Sequence, residues 1–200
     1  MRAMPFQQTC GQACSEPSMF VSMRPAQHPL LFQDVDGVLN RYIQGTPELD
    51  PKLLQNLRRT VDNTDADLVL STQWRKYPQH SRRLREALQE SGIPSDRIVG
   101  QTPSLCGGPG CRVQEIKAFL DSHAELLDDG KHWAAVDDED LSAQDPEFMQ
   151  GHFVQTNPLQ GLTEKRAKEL ENALVADKGD ATFWPVLAKV ANKAGILRAL

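Results

Sequence analysis

The sequence predicts an α/β fold in which a five-stranded parallel sheet lies between two layers of helices. Two observations carry this. Short apolar runs recur along the chain, and stretches with helical spacing of apolar residues separate them. Most of the runs also end in Asp, Ser, Thr or Gly and lead into a helix instead of a tight hairpin. Parallel strands need long crossovers and are covered on both faces, so they read as short apolar runs between helices. No internal repeat or low-complexity tract competes with this reading.

The elements follow in order. Leu30-Leu31-Phe32 is the first strand, running into Asp34-Val35-Asp36-Gly37. Asp50-Pro51 combines an N-cap with the residue best suited to a first helical position. Leu53, Leu54, Leu57 and Val61 then form the apolar stripe of a helix. Leu68-Val69-Leu70 is the second strand, ending at Ser71-Thr72, and Leu84, Ala87 and Leu88 mark a basic helix closed by Gly92. Ile98-Val99-Gly100 is a third strand, and Val113, Ile116, Phe119 and Leu120 define the next helix. The fourth strand, Trp133-Ala134-Ala135-Val136, ends at Asp137-Asp138, and His152-Phe153-Val154 is the fifth. Thr163 caps a helix containing Ala167, Leu170 and Leu174, while Val186, Val190 and Leu197 mark an amphipathic C-terminal helix. Residues 1–28 are rich in Gln, Pro, Ser and Met and show no period. They read as a mobile N-terminal arm, which leaves 29–200 as one α/β domain.

Composition bounds the function. The chain has 200 residues, 22 Lys and Arg against 27 Asp and Glu, and a formal charge of -5. That balance argues against a protein held to nucleic acid or anionic lipid by bulk positive charge. No apolar run approaches the roughly 20 residues that span a bilayer, so no membrane partner is expected. The start lacks the basic stretch and apolar core of a signal peptide, so a reducing cytoplasm with free thiols is the expectation. Cys10, Cys14, Cys106 and Cys111 lack the C-x2-C spacing of a zinc site, and the five histidines show no paired ligand spacing. Acids concentrate between Asp121 and Gln150, and bases between Thr72 and Gly100, where Arg82, Arg83 and Arg85 share one helix. Solvated helix faces account for most such charge runs, although this helix would suit a polyanion.

In parallel α/β sheets, ligands bind beyond the carboxyl ends of the strands. Three strand ends are chemically distinctive: Asp34 and Asp36, Ser71 and Thr72, and Asp137 and Asp138. Four converging carboxylates would repel and would not all ionise at neutral pH without compensation. A divalent cation supplies it, and magnesium prefers hard oxygen ligands such as carboxylates, waters and phosphate. One aspartate of an i, i+2 pair can attack phosphorus while the other protonates the leaving oxygen and then activates water. A hydroxyl at the second strand end can bind a phosphate oxygen, and a cation at a helix start can neutralise charge on the transferred group.

These residues carry a family resemblance. Leu30-Leu31-Phe32-Gln33-Asp34-Val35-Asp36-Gly37-Val38-Leu39-Asn40 resembles the first motif of the haloacid dehalogenase-like (HAD) superfamily. Leu68-Val69-Leu70-Ser71 resembles its second motif, and Val136-Asp137-Asp138 its fourth. Ser71-Thr72-Gln73-Trp74-Arg75, Gly100-Gln101-Thr102-Pro103 and Arg112-x2-Glu115-Ile116 are similar to a small subgroup found alone or fused to RNA-repair enzymes. The resemblance implies a Rossmann-like three-layer sandwich with little or no cap, and it assigns roles. Asp34 would be the nucleophile and a magnesium ligand. Asp36 would be the general acid/base, binding metal through its backbone carbonyl. Ser71 would hold phosphate, and Asp137 would bind metal with Asp138 beside it. For the third-motif cation, Arg112 at the helix start is preferred to Lys117, more than a turn further on. Thr72 and Arg75 join Ser71 as substrate-binding candidates, Trp74 is read as packing that can shape substrate binding, and Glu139 and Asp140 as solvated loop acids.

The family's caps span many tens of residues, whereas only Arg41 to Asp50 precede the first helix here. An open site suits a phosphate at the end of a large molecule or a nucleotide. The leading expectation is thus a magnesium-dependent phosphohydrolase on phosphomonoesters, with nucleotides or nucleic-acid ends as substrates. The alternative is a non-catalytic phosphate-binding or interaction module on the same fold. A phosphoacceptor receiver domain also gathers aspartates around magnesium, but it would need a lone Asp at the third strand and a late Lys, which this order does not match.

Overall fold

In the computed structural model, the structure describes residues 28–42, 48–105, 110–126 and 132–175. Five strands, β1 (Leu30–Gln33), β2 (Asp67–Leu70), β3 (Ile98–Gln101), β4 (Trp133–Asp137) and β5 (Phe153–Gln155), form one sheet in the order β3-β2-β1-β4-β5. Every pairing is parallel. β1 is central, and the chain first winds outward through β2 and β3 and then returns to the other side of β1 through β4. The strand order therefore reverses between β1 and β4, the position at which such sheets open a crevice for ligands.

Among the described residues, five α-helices lie between the strands, α1 (Pro51–Thr64), α2 (Pro78–Glu90), α3 (Arg112–Ser122), α4 (Leu141–Gln144) and α5 (Pro146–Met149), and α6 (Glu164–Val175) follows β5. Side chains alternate across the strands and build a separate core on each face. Leu31, Leu68, Leu70, Ala134 and Val136 pack with Leu57 of α1, Leu84 and Leu88 of α2, and Leu170 and Leu174 of α6. Leu30, Phe32, Val69, Trp133 and Ala135 pack with Val113, Ile116 and Phe119 of α3 and with Leu141 and Met149. Phe32 sits edge-on to both Phe119 and Trp133, at centroid distances of 5.6 and 5.7 Å. Burying a ring of this kind stabilises the fold by about 1.5–3 kcal/mol. These two cores make the expected three-layer sandwich.

Local chemistry explains the element ends. Asp50 caps α1 by accepting from Lys52 N at 2.8 Å, with Pro51 at the first helical position. Gly92, at φ +93°, ends the turn after α2, where Ile93 N–H reaches back to Leu88 O. The fifth strand starts one residue later than the sequence suggests. His152 instead stacks on Trp133 at 4.0 Å, with Nδ1 2.7 Å from Trp133 O. The short helices α4 and α5 escape periodicity because four residues make barely one turn. Asp140, expected as a solvated loop acid, caps α4 by accepting from Ala143 N, and Asp145 caps α5 by accepting from Phe148 N.

No helix among the described residues is long and apolar enough to cross a membrane. The expected N-terminal arm, apart from His28, and the expected C-terminal helix lie outside the described residues, as do Cys10, Cys14 and Cys106. Cys111 is disulfide-bonded, so the expectation of free thiols fails there. Such a bond needs two Cα atoms within about 7 Å, a juxtaposition that spacing along the chain does not reveal.

Candidate active site

Parallel register sets the strand ends side by side. Gln33 is paired with Leu70 on one side and Val136 on the other, so Asp34, Ser71 and Asp137 follow in one row across the sheet. Ladder bonds continue into this row: Asp34 N donates to Val136 O at 3.2 Å and Ser71 N to Gln33 O at 2.9 Å. Asp34, Ser71 and Asp137 are all buried.

Directly after Asp34 the chain turns sharply. Val35 O accepts from the N–H groups of Val38, Leu39 and Asn40. Gly37 makes the turn possible at φ +71°, and a Cβ there would lie 2.7 Å from Asp138 Oδ2. Only glycine satisfies both the backbone and the close approach of the β4 end. Thr156, beyond β5, donates its Oγ1 hydrogen to Gly37 O at 2.8 Å and fastens the turn from the other side.

Asp34, Asp137 and Asp138 each place one carboxylate oxygen within 4.8 Å of the others. Glu139 N donates to Asp137 Oδ1 at 3.0 Å, and Gln155 Nε2 to Asp138 O at 3.1 Å, so the β4 end is braced. Burial, reinforced by Asp137, holds the Asp34 carboxyl well above its usual range, with Arg112 opposing. Burial pushes Asp137 up to about 7 against the pull of Arg112, and burial also raises Asp138. Partial burial and the carboxylates of Asp138 and Asp36 push the Tyr42 phenol at the rim up to about 12. Three carboxyls in this state are a site short of positive charge. Their hard oxygen donors and spacing fit a divalent cation such as magnesium, which would let all three ionise.

Arg112 opens α3 and enters the site buried. Its Nη2 lies 3.3 Å from Asp34 Oδ1 and its Nε 3.0 Å from Asp137 Oδ2. Nη1 is buried and has no hydrogen-bond partner among the described residues, and the same holds for the hydroxyls of Ser71 and Thr102. Unmet donors at strand ends are what an incoming oxyanion would satisfy. Lys117, the other candidate cation, is directed away: its Nζ pairs with Asp145 at 2.5 Å and lies over the Phe148 ring.

Not every expected site residue meets at this point. Asp36 sends its carboxylate outside the three-aspartate cluster, because the Gly37 turn rotates it toward a 3-10 turn at Gln73–Lys76. There Trp74 Nε1 donates to both Asp36 oxygens at 3.0 Å, and Asn40 Nδ2 donates to Oδ1 at 2.7 Å. Thr72 and Arg75, expected to bind substrate, are turned inward. Thr72 Oγ1 accepts from Trp74 N as the cap of that turn. Arg75 donates to the carbonyls of Thr72, Thr102 and Pro103 and pairs with Glu115 at 2.7 Å, both side chains being buried. An arginine so fully engaged braces the loops after β2 and β3 and offers little to a ligand. Sequence reasoning missed the partners of Asp36. Asn40 closes the first motif and Trp74 follows Ser71 closely, but neither carries a local signal for where its N–H points.

With this geometry in hand, comparison with known families is decisive. Residues 30–167 match the model of the HAD domain in Swiss Army Knife RNA repair proteins. The chain belongs to this family. The matched span runs from β1 into α6 and so includes every strand and every site residue described above. The HAD domain here thus has the five-stranded parallel sheet that its motifs imply, and the ten residues between Asn40 and α1 leave no room for a cap domain at that position. No curated protein and no solved structure shows a significant match to the chain.

Proposed function

We propose that the protein is a magnesium-dependent phosphohydrolase that cleaves phosphomonoesters through an aspartyl-phosphate on Asp34. The observation that carries this is the meeting of Asp34, Asp137 and Asp138 with Arg112 at the carboxyl end of the central strands, beside the unpartnered Ser71 hydroxyl. Magnesium, held by Asp34, Asp137 and Asp138 and by the backbone carbonyl of Asp36, would supply charge neutralisation for the phosphoryl group. The chain's own groups do the rest. An Asp34 carboxylate oxygen attacks phosphorus as the bond to the leaving oxygen breaks, and Asp36 gives that oxygen a proton. Asp36 then takes a proton from the water that attacks phosphorus, the bond to Asp34 breaks, and inorganic phosphate departs. Arg112 and Ser71 bind the equatorial oxygens of the transferred group, on which charge is spread.

The family description supports a nucleic-acid end or a nucleotide as the substrate class. The short segment between Asn40 and α1 supports a site reachable by a phosphate on a large molecule. The test is a panel of nucleotides, sugar phosphates and 5′- and 3′-phosphorylated oligonucleotides, assayed with and without magnesium. Asp34→Asn is the control and should abolish turnover while the fold persists. Magnesium-dependent hydrolysis retained by Asp34→Asn would overturn the assignment. Binding of magnesium and phosphate without turnover on any substrate would instead favour the non-catalytic module.

A further inference from the structure

We propose that Trp74 and Asn40 are positioning residues for Asp36, holding its carboxylate apart from the metal-ligand cluster with Oδ2 left to carry the transferred proton. The proposal rests on the phosphohydrolase reading and adds residues to it.

Oδ1 of Asp36 accepts from Asn40 Nδ2 at 2.7 Å and from the Trp74 indole at 3.0 Å, whereas among the described residues Oδ2 accepts from the indole alone, at 3.0 Å. The less engaged oxygen is the one with capacity to bear a proton and pass it on. Two donors from different directions also fix both side-chain torsions of a short residue that would otherwise rotate freely.

Both donors are themselves immobilised. Trp74 is 4% exposed and belongs to the core cluster beneath α2, and its backbone N–H is held by Thr72 Oγ1. The next residue, Arg75, locks the same turn to Thr102, Pro103 and Glu115. Asn40 is 1% exposed, accepts from Gly37 N at 2.9 Å and donates its own N–H to Val35 O. A buried indole N–H needs some acceptor, and any backbone carbonyl would suffice. Here it is aimed at the carboxylate two residues after Asp34, from a loop 38 residues away in sequence. Placement of a general acid within a fraction of an ångström is what such bracing provides.

A leaving-group comparison separates positioning from mere packing. For wild type, Trp74→Phe, Asp36→Asn and the double variant, kcat/KM is measured with magnesium on an alkyl ester, glycerol 2-phosphate, and an aryl ester, p-nitrophenyl phosphate. This constant reports expulsion of the leaving group, which needs a proton only for the alkyl ester. Trp74→Phe should lower kcat/KM on the alkyl ester by about tenfold or more and on the aryl ester by a factor at least several-fold smaller. In the Asp36→Asn background the same change should have little further effect, because its target is gone. Equal losses on both esters, or the same loss with and without Asp36, would overturn the proposal while leaving the phosphohydrolase reading intact. If the wild type turns over only nucleotides or oligonucleotides, these serve as the alkyl ester, and the Trp74→Phe loss must again vanish in the Asp36→Asn background. A wild type inert toward the whole panel would overturn that reading and this proposal together. If Trp74→Phe does not fold, Asn40→Asp keeps the acceptor for Gly37 N–H, removes the other donor to Asp36 and is read by the same alkyl-to-aryl ratio.

Discussion

Arg112 Nε stands 3.0 Å from Asp137 Oδ2, and the same guanidinium reaches Asp34 through Nη2 at 3.3 Å. One side chain therefore links the ends of β1 and β4, on either side of the point where the strand order reverses. Arginine suits this task because its planar fork keeps several donors in fixed directions and stays charged when buried.

Removing that cation should damage chemistry more than binding. Arg112→Lys keeps the charge but loses the fork, and Arg112→Ala loses both. Steady-state kinetics on a hydrolysed substrate should show kcat lower by about 100-fold for Arg112→Ala, the range seen when one transition-state donor is deleted. Lys117→Ala, which breaks only the partly exposed pair with Asp145, should leave Tm nearly unchanged and kcat within about threefold. A larger kinetic loss for Lys117→Ala than for Arg112→Ala would reverse the assignment of the third-motif cation.

Without metal, the aspartate cluster makes stability fall as pH rises. Asp137 is raised from 3.8 to about 7, and Asp34 and Asp138 are raised as well. Between the unfolded and folded values the native state binds more protons than the unfolded chain, so the unfolding free energy decreases with pH across that window. In chelator, thermal denaturation should show a Tm that drops from about pH 4 to pH 7 relative to an Asp137→Asn variant. Magnesium must displace these protons, so the Tm gain on adding it should be larger at pH 8 than at pH 5. A magnesium shift that is larger at pH 5 would contradict the cluster as the metal site.

Arg75 separates bracing from substrate binding. Its pair with Glu115 is buried, so truncating one partner strands the other charge. Glu115→Gln and Arg75→Ala should each destabilise the fold by about 3–5 kcal/mol in denaturant titrations. For the milder Arg75→Lys, the KM of the folded fraction should change by less than about twofold. A KM that rises tenfold with unchanged stability would return Arg75 to the substrate.

Much of this was legible in the sequence, for a local reason. A strand is announced by its own apolar run and a helix by its own stripe and cap, so Leu30 to Phe32, Leu68 to Leu70 and the stripe from Leu53 to Val61 declare themselves. Asp34, Ser71 and Asp137 stand at the ends of the first, second and fourth strands, and a parallel sheet with helical crossovers must gather strand ends on one edge. What the chain could not declare were contacts set by long-range packing. Trp74 meets Asp36 across 38 positions, Arg75 meets Glu115 across 40, and Arg112 meets Asp34 across 78. Each depends on the direction of a single buried side chain, which periodicity does not encode. The sequence alone determined that several aspartates would share one sheet edge with a hydroxyl. Only the tertiary structure decided that three of them bring carboxylate oxygens within 4.8 Å of one another, that Asp36 is drawn aside by an indole and an amide, and that Arg112 reaches Asp34 and Asp137 while Arg75 is spent on the framework.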